Sequence, residues 1–133
     1  MELHYRLIGE HNHQPIIILH GLYGSSDNWL NIGKKLAEYY KVYIIDQRNH
    51  GQSPHSDKHN YHLMRDDLYE FMENHKIEKT SIIGHSMGGK TAVYFALKYP
   101  TLIDKLIVVD IGPGAYQALT NPTPKTSNHL NIL

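Results

Sequence analysis

The sequence predicts an α/β fold, a mostly parallel sheet with helices on both faces. Three observations predict it. Blocks of β-branched residues recur along the chain, "PIIILHG", "KVYIID", "KTSIIG" and "DKLIVVDIG", and each is apolar on both faces, as suits a strand covered from both sides. Segments with apolar residues at helical spacing stand between them. The two kinds of segment alternate, which is the rhythm of strands joined by crossover helices.

Taken in order, "LHYRLIG" alternates roughly between apolar and polar and suits an antiparallel strand, forming a hairpin with its neighbour. "PIIILHG" is the first buried strand. From Asp27, which can cap, Trp29, Ile32, Leu36, Tyr39 and Tyr40 recur at helical spacing through "DNWLNIGKKLAEYY", so a helix follows. "KVYIID" is the second buried strand and "QRNHGQSPHSDKHN" a loop. A second helix carries Tyr61, Met64, Leu68, Phe71 and Met72 on one stripe. "KTSIIG" is the third buried strand, "GGKTAVYFALKYP" a third helix closed by Pro100, and "DKLIVVDIG" the fourth buried strand. From about Ala115 the chain turns rich in Thr, Asn and Pro with no sustained period. Residues 1–114 therefore read as the folded core and 115–133 as a polar, irregular tail.

Composition narrows the partners. Thirteen Lys plus Arg balance thirteen Asp plus Glu, so no net field draws the chain to nucleic acid or an anionic membrane. A small neutral or hydrophobic molecule is the expected partner. With no cysteine there is no disulfide framework and no thiolate metal site, and "IIIL" at 16 to 19 is too short to cross a bilayer. A soluble cytoplasmic protein is expected, without a cofactor. His55, His59 and His62 have a spacing that zinc could use, but no carboxylate supports them, and no metal is expected.

The chemistry centres on "GHSMGGK", residues 84 to 90. Small-x-Ser-x-small between a strand and a helix is a nucleophile elbow, a turn so tight that only small residues fit two places either side of the serine. Gly84 and Gly88 fill those places. The turn raises the Ser86 hydroxyl above the sheet at a helix N-terminus, where amides and the helix dipole favour developing negative charge. The "GGKT" ending also tempts toward a phosphate-binding loop, which is set aside because the string reads as not fitting G-x-x-x-x-G-K-[ST], with His85 where a glycine would be needed.

Three motifs in order, "HGLYGSSDNW" (20 to 29), "DQRNHGQS" (46 to 53) and "GHSMGGK", resemble those of the α/β-hydrolase superfamily, closest to its small serine esterases and thioesterase-like members. The resemblance covers residues 1 to about 114 and implies the N-terminal portion of an α/β-hydrolase fold, an incomplete core with strands up to the sixth. It implies Ser86 as nucleophile and an oxyanion hole from the backbone N–H groups of Leu22 and Met87, whose side chains would also wall an acyl pocket; both also suit ordinary core residues. Asp46 reads as a loop brace with Arg48. Asp110, in "VVDIGP", takes the place of the acid in a branch of small esterases, or caps the turn made by Gly112 and Pro113. His129 is the one histidine after Ser86, and so the one candidate base in the family's chain order of Ser, acid, His.

The resemblance leaves two readings. In one, the protein is a serine hydrolase acting on a carboxylic ester or thioester through an acyl-enzyme. In the other, it is the N-terminal part of a longer hydrolase, a remnant or binding module without its base. In the second case "KLIVVDIG" would be an exposed apolar edge open to self-association.

Overall fold

The computed structural model describes residues 1–109 and the backbone of 130–132. Six strands form one sheet: β1 (Tyr5–Ile8), β2 (Pro15–Leu19), β3 (Lys41–Ile45), β4 (Thr80–His85), β5 (Ile103–Val109) and β6 (Leu130–Ile132), in the order β1-β3-β2-β4-β5-β6. All neighbouring pairs are parallel except β1 with β3. Three helices, α1 (Leu30–Leu36), α2 (Tyr61–Asn74) and α3 (Met87–Lys98), complete the layers.

Alternate residues of the central strands serve opposite faces, which is why the blocks are apolar throughout. Ile17 and Leu19 of β2, with Tyr43 and Ile45 of β3, pack with Leu68, Phe71 and Met72 of α2 and Ala92, Val93, Phe95 and Ala96 of α3. Ile16, Ile18, Val42 and Ile44 pack on the other face with Ala37, Leu30, Leu36 and Trp29. The stripe expected on α2 is the buried one, with Asp67 added to it and Tyr61 only half-buried.

The first helix departs from the sequence reading. Its entry is capped by Ser25, whose Oγ accepts from the Asp27 N–H at 3.3 Å while Asn28 Oδ1 accepts from the Ser25 N–H at 2.9 Å. A short 3₁₀ turn, Ser26–Trp29, precedes α1. Asp27 instead pairs with Arg6 of β1. Starting later, the helix presents Gly33 and Ala37 to the sheet and leaves Ile32 and Tyr39 exposed. Gly33 belongs there because a Cβ would lie 2.6 Å from Ile44 Cδ1, a contact that hydrophobic spacing cannot signal.

Two strands are also placed differently. β1 does not pair with β2, its neighbour in the chain, but with β3, Tyr5 opposite Ile45 and Ile8 opposite Val42. At the other side, Leu130–Ile132 lies within the stretch read as irregular and pairs with Leu106–Val108. The β5 edge expected to stand open is thus covered over those three residues. Among the described residues no helix is long and apolar enough to cross a membrane.

His75 is half-buried against Phe71 and Tyr5, with ring centroids 4.1 and 4.7 Å away. Burial holds its pKa below the usual histidine value, and burial does the same to His20. Both rings therefore bind protons more readily in the unfolded chain, so their contribution is intact above about pH 6.5 and is lost as pH falls through the lowered folded values. Thermal melts are expected to show a lower Tm near pH 5 than near pH 7. His75→Phe keeps a packed ring and removes one titration, so it should shrink that difference. An unchanged difference in the variant would show that His75 has no part in it.

Candidate active site

Ser86 is the single residue between the end of β4 and the start of α3, and it takes φ 52° and ψ −113°. An L-residue held in such a region stores about 1–3 kcal/mol, which its surroundings must offset. The Ser86 N–H donates to Val109 O at 2.9 Å, and Lys90 N–H donates to Ser86 O at 3.0 Å. The turn is thereby tied to β5 on one side and to the first turn of α3 on the other.

The flanking glycines are required by backbone, not by each other's side chains. A Cβ on Gly84 would lie 2.5 Å from Gly88 O and 2.7 Å from Gly89 Cα. On Gly88 it would strike Leu19 O and stand 2.6 Å from His20 O. The start of α3 therefore crosses directly over the C-terminal end of β2.

That crossing sets the loop after β2 against the serine. A Cβ on Gly21 would lie 2.7 Å from His85 Nδ1 and 3.4 Å from Ser86 Cβ. Gly24 N–H closes the next turn onto Gly21 O at 3.0 Å, a bond that does not use the Leu22 N–H. At α3, Met87 is the first helical residue, so its N–H has no carbonyl one turn earlier to reach. His20 anchors the loop from below. Its Nδ1–H donates to Gly21 O at 2.8 Å, and its Nε2 accepts from Gln47 N–H at 3.0 Å. These two bonds select the neutral tautomer, in keeping with a pKa lowered chiefly by burial.

"DQRNHGQS" is scaffold throughout. Asp46 accepts from the backbone N–H groups of Ser26 (2.6 Å) and Gln52 (3.1 Å), bracing the loops after β2 and β3. Gly51 leaves room for that carboxylate. Ser53 donates to Asp46 O and accepts from His4 N–H at 2.8 Å. Arg48, read as Asp46's companion, instead forks onto Asp67 of α2 at 2.7 and 2.9 Å and donates to Lys58 O at 3.0 Å. It thereby fixes the segment leading into α2, where Asn60 caps the helix by accepting from Leu63 N–H at 2.9 Å.

A cavity of about 350 Å³ results, lined by Leu22, His59, Asn60, Tyr61, Met64, Ser86, Met87 and Lys90. Ser86, Leu22 and Met87 thus meet at one hollow, Met87 buried and Leu22 53 % exposed. Asp110 and His129 lie outside the described residues. Sequence reading did not assign His59, Tyr61 or Lys90 to this site. Tyr61 carried only the signal of a helix stripe, and Lys90 only the "GGKT" string. The segment from Gly84 to Thr91, contrary to the sequence reading, does satisfy the G-x-x-x-x-G-K-T spacing of a phosphate loop. The fold excludes one there, because a single residue separates β4 from α3 and no loop remains to wrap a phosphate.

Because the Gly88 contact is with backbone, no side-chain shift can relieve a substitution there. Gly88→Ala should lower stability by about 3 kcal/mol, the upper end of ordinary overpacking, in urea unfolding. Unfolding indistinguishable from wild type would show that α3 can move off β2.

The alpha/beta hydrolase fold model matches residues 14–130. An abhydrolase domain-containing protein of Schizosaccharomyces pombe is 49% identical over 109 residues, 80% of this chain and 40% of the relative. The sn-1-specific diacylglycerol lipase ABHD11 of Danio rerio is 45% identical over 115 residues, 85% of this chain and 36% of the relative. Among solved structures, a marine microorganism esterase superposes with a TM-score of 0.81 at 42% identity, over 96% of this chain and 58% of that one. The chain thus spans about two-fifths of the length of these two curated relatives.

Proposed function

The chain belongs to the α/β-hydrolase fold family, and on that premise we propose that Ser86 is the nucleophile of carboxylic ester or thioester hydrolysis through an acyl-enzyme. The observation that carries the reading is the strained Ser86 turn in the wall of a cavity. Relatives named as esterase and lipase support the substrate class. The substrate is a small-molecule ester, and the setting is cytoplasmic, in keeping with the cysteine-free sequence.

In the first step the Ser86 oxygen attacks the acyl carbon and its proton passes to a base. The carbonyl oxygen becomes an oxyanion, held by the N–H groups of Leu22 and Met87. Collapse expels the alcohol or thiol, which takes the proton, and leaves the acyl group on Ser86. Water then attacks with the same base assisting, releasing the acid and restoring the serine. Preorganised donors of this kind contribute about 3–4 kcal/mol each in hydrolases where one has been removed. His129 is proposed as base and Asp110 as the group that orients it.

One observation favours a second reading, a chain that keeps the elbow and pocket without a working base. Leu130 pairs with Leu106, whereas Val109 is the β5 residue level with His85. The strand following His129 therefore begins three residues, about 10 Å, behind the level of the nucleophile. On that reading the protein binds esters without turning them over.

Activity toward p-nitrophenyl butyrate separates the two. The hydrolase reading expects turnover by the 133-residue chain that falls about a thousandfold or more in Ser86→Ala, with an acyl adduct on wild type in quenched intact-mass spectra. Equal rates for the two proteins, with no adduct, would overturn it and leave the binding reading.

A further inference from the structure

We propose that the Ser86 cavity selects esters that carry an anionic group, with Lys90 as the residue that recognises it. The proposal rests on the reading of Ser86 as the ester-facing end of the cavity. Lys90 lies one turn, about 5.4 Å, further along α3, and its N–H bonds Ser86 O at 3.0 Å. Residues four apart share a helix face, and both line the same hollow.

The surroundings of Lys90 leave its charge available. Its Nζ stands 5.9 Å from the centroid of the Tyr61 ring, another wall of the cavity. A ring face holds an ammonium by attraction to its quadrupole without neutralising it. Arg6, Arg48 and Arg65 are each paired with an aspartate, while Lys90 has no carboxylate partner among the described residues. Among the described residues no Asp or Glu lines the cavity. The positive end of the α3 dipole lies at Ser86 and adds to the same field.

A cation, a serine and the apolar side chains of Leu22, Met64 and Met87 lining one hollow describe a distinct ligand. It is an ester whose carboxylate lies about one helical turn from the reacting carbonyl, across a short apolar spacer. Half-esters of dicarboxylic acids have this form. An uncharged ester of equal length fills the spacer but leaves the ammonium without a partner.

The test uses binding, so that it does not depend on turnover. Monomethyl adipate and methyl hexanoate are titrated by NMR into the Ser86→Ala chain, then into Ser86→Ala/Lys90→Met and Ser86→Ala/Lys98→Met. Lys98 is at the far end of α3. At about 20 mM salt the adipate half-ester should bind roughly fivefold more tightly than the hexanoate ester, within the range of a solvated ion pair. That preference should weaken in high salt, vanish with Lys90→Met and survive Lys98→Met. Binding of methyl hexanoate to the Lys90→Met protein shows that its pocket is folded. No preference, a preference that outlives Lys90→Met, or no binding of either ester would overturn the proposal. A preserved preference with no turnover by wild type would fault only the catalytic role of Ser86.

Discussion

The contact on which the site depends is between main chains. Gly88 of α3 sits against the carbonyl oxygens of Leu19 and His20 at the end of β2, with no room for a Cβ. That approach lets α3 begin directly above the sheet edge and leaves one residue, Ser86, to reverse the chain. The strain at Ser86 follows from this geometry. Hydrogen bonds to Val109 and Lys90 oppose its relaxation. Because β2 ends under α3, the loop that follows β2 must pass beside the serine, and Leu22 arrives at the cavity as a result. Ser86 and the candidate oxyanion donors are positioned by one crossing.

Around that crossing the buried polar groups hold loops. Asp46 takes the amides of Ser26 and Gln52, His20 bridges Gly21 and Gln47, and Arg48 joins Asp67 to Lys58. Buried charges without such partners would cost several kcal/mol each, so each pairing stabilises one loop arrangement against its alternatives. Lys90, half-buried, lies outside this set. Its ring contact with Tyr61 steadies the ammonium while leaving its charge uncompensated among the described residues, the arrangement expected of a group that meets a ligand.

The first five strands and the later two helices were legible because each is decided by its own residues. Runs such as "PIIIL" and "KVYII" suit a covered parallel strand wherever they fall, and the α2 stripe follows from 3.6-residue spacing. The tight strand-to-helix turn at Ser86 was legible for a similar reason, since a strand, a small-x-Ser-x-small string and a helix are contiguous. What sequence could not show depends on partners far along the chain. Gly33 looks like a flaw in a helix until Ile44 is placed beneath it. Arg48 looks like Asp46's partner until α2 brings Asp67 within 2.7 Å. The pairing of β1 with β3 is set by the order in which the central strands assemble, which periodicity does not contain. His59 and Tyr61 reach the cavity only because Arg48 and Asn60 fix the entry to α2.

The same distinction separates the two halves of the proposed chemistry. A strained serine and two candidate backbone donors need β2, β4, α3 and the turns that end them, together with the end of β5 that accepts the Ser86 N–H, and all of these lie within residues 15–109. Their geometry is local to four neighbouring elements. A base needs a side chain delivered to the serine from another part of the sheet, and its position depends on the register of the strand that carries it. In β6 that register begins at Leu106 and not at Val109, three residues short of the level of His85. Delivery of a base from that side of the sheet therefore depends on how β6 lies along β5, whereas the Ser86 turn is held by contacts with β2, β5 and α3.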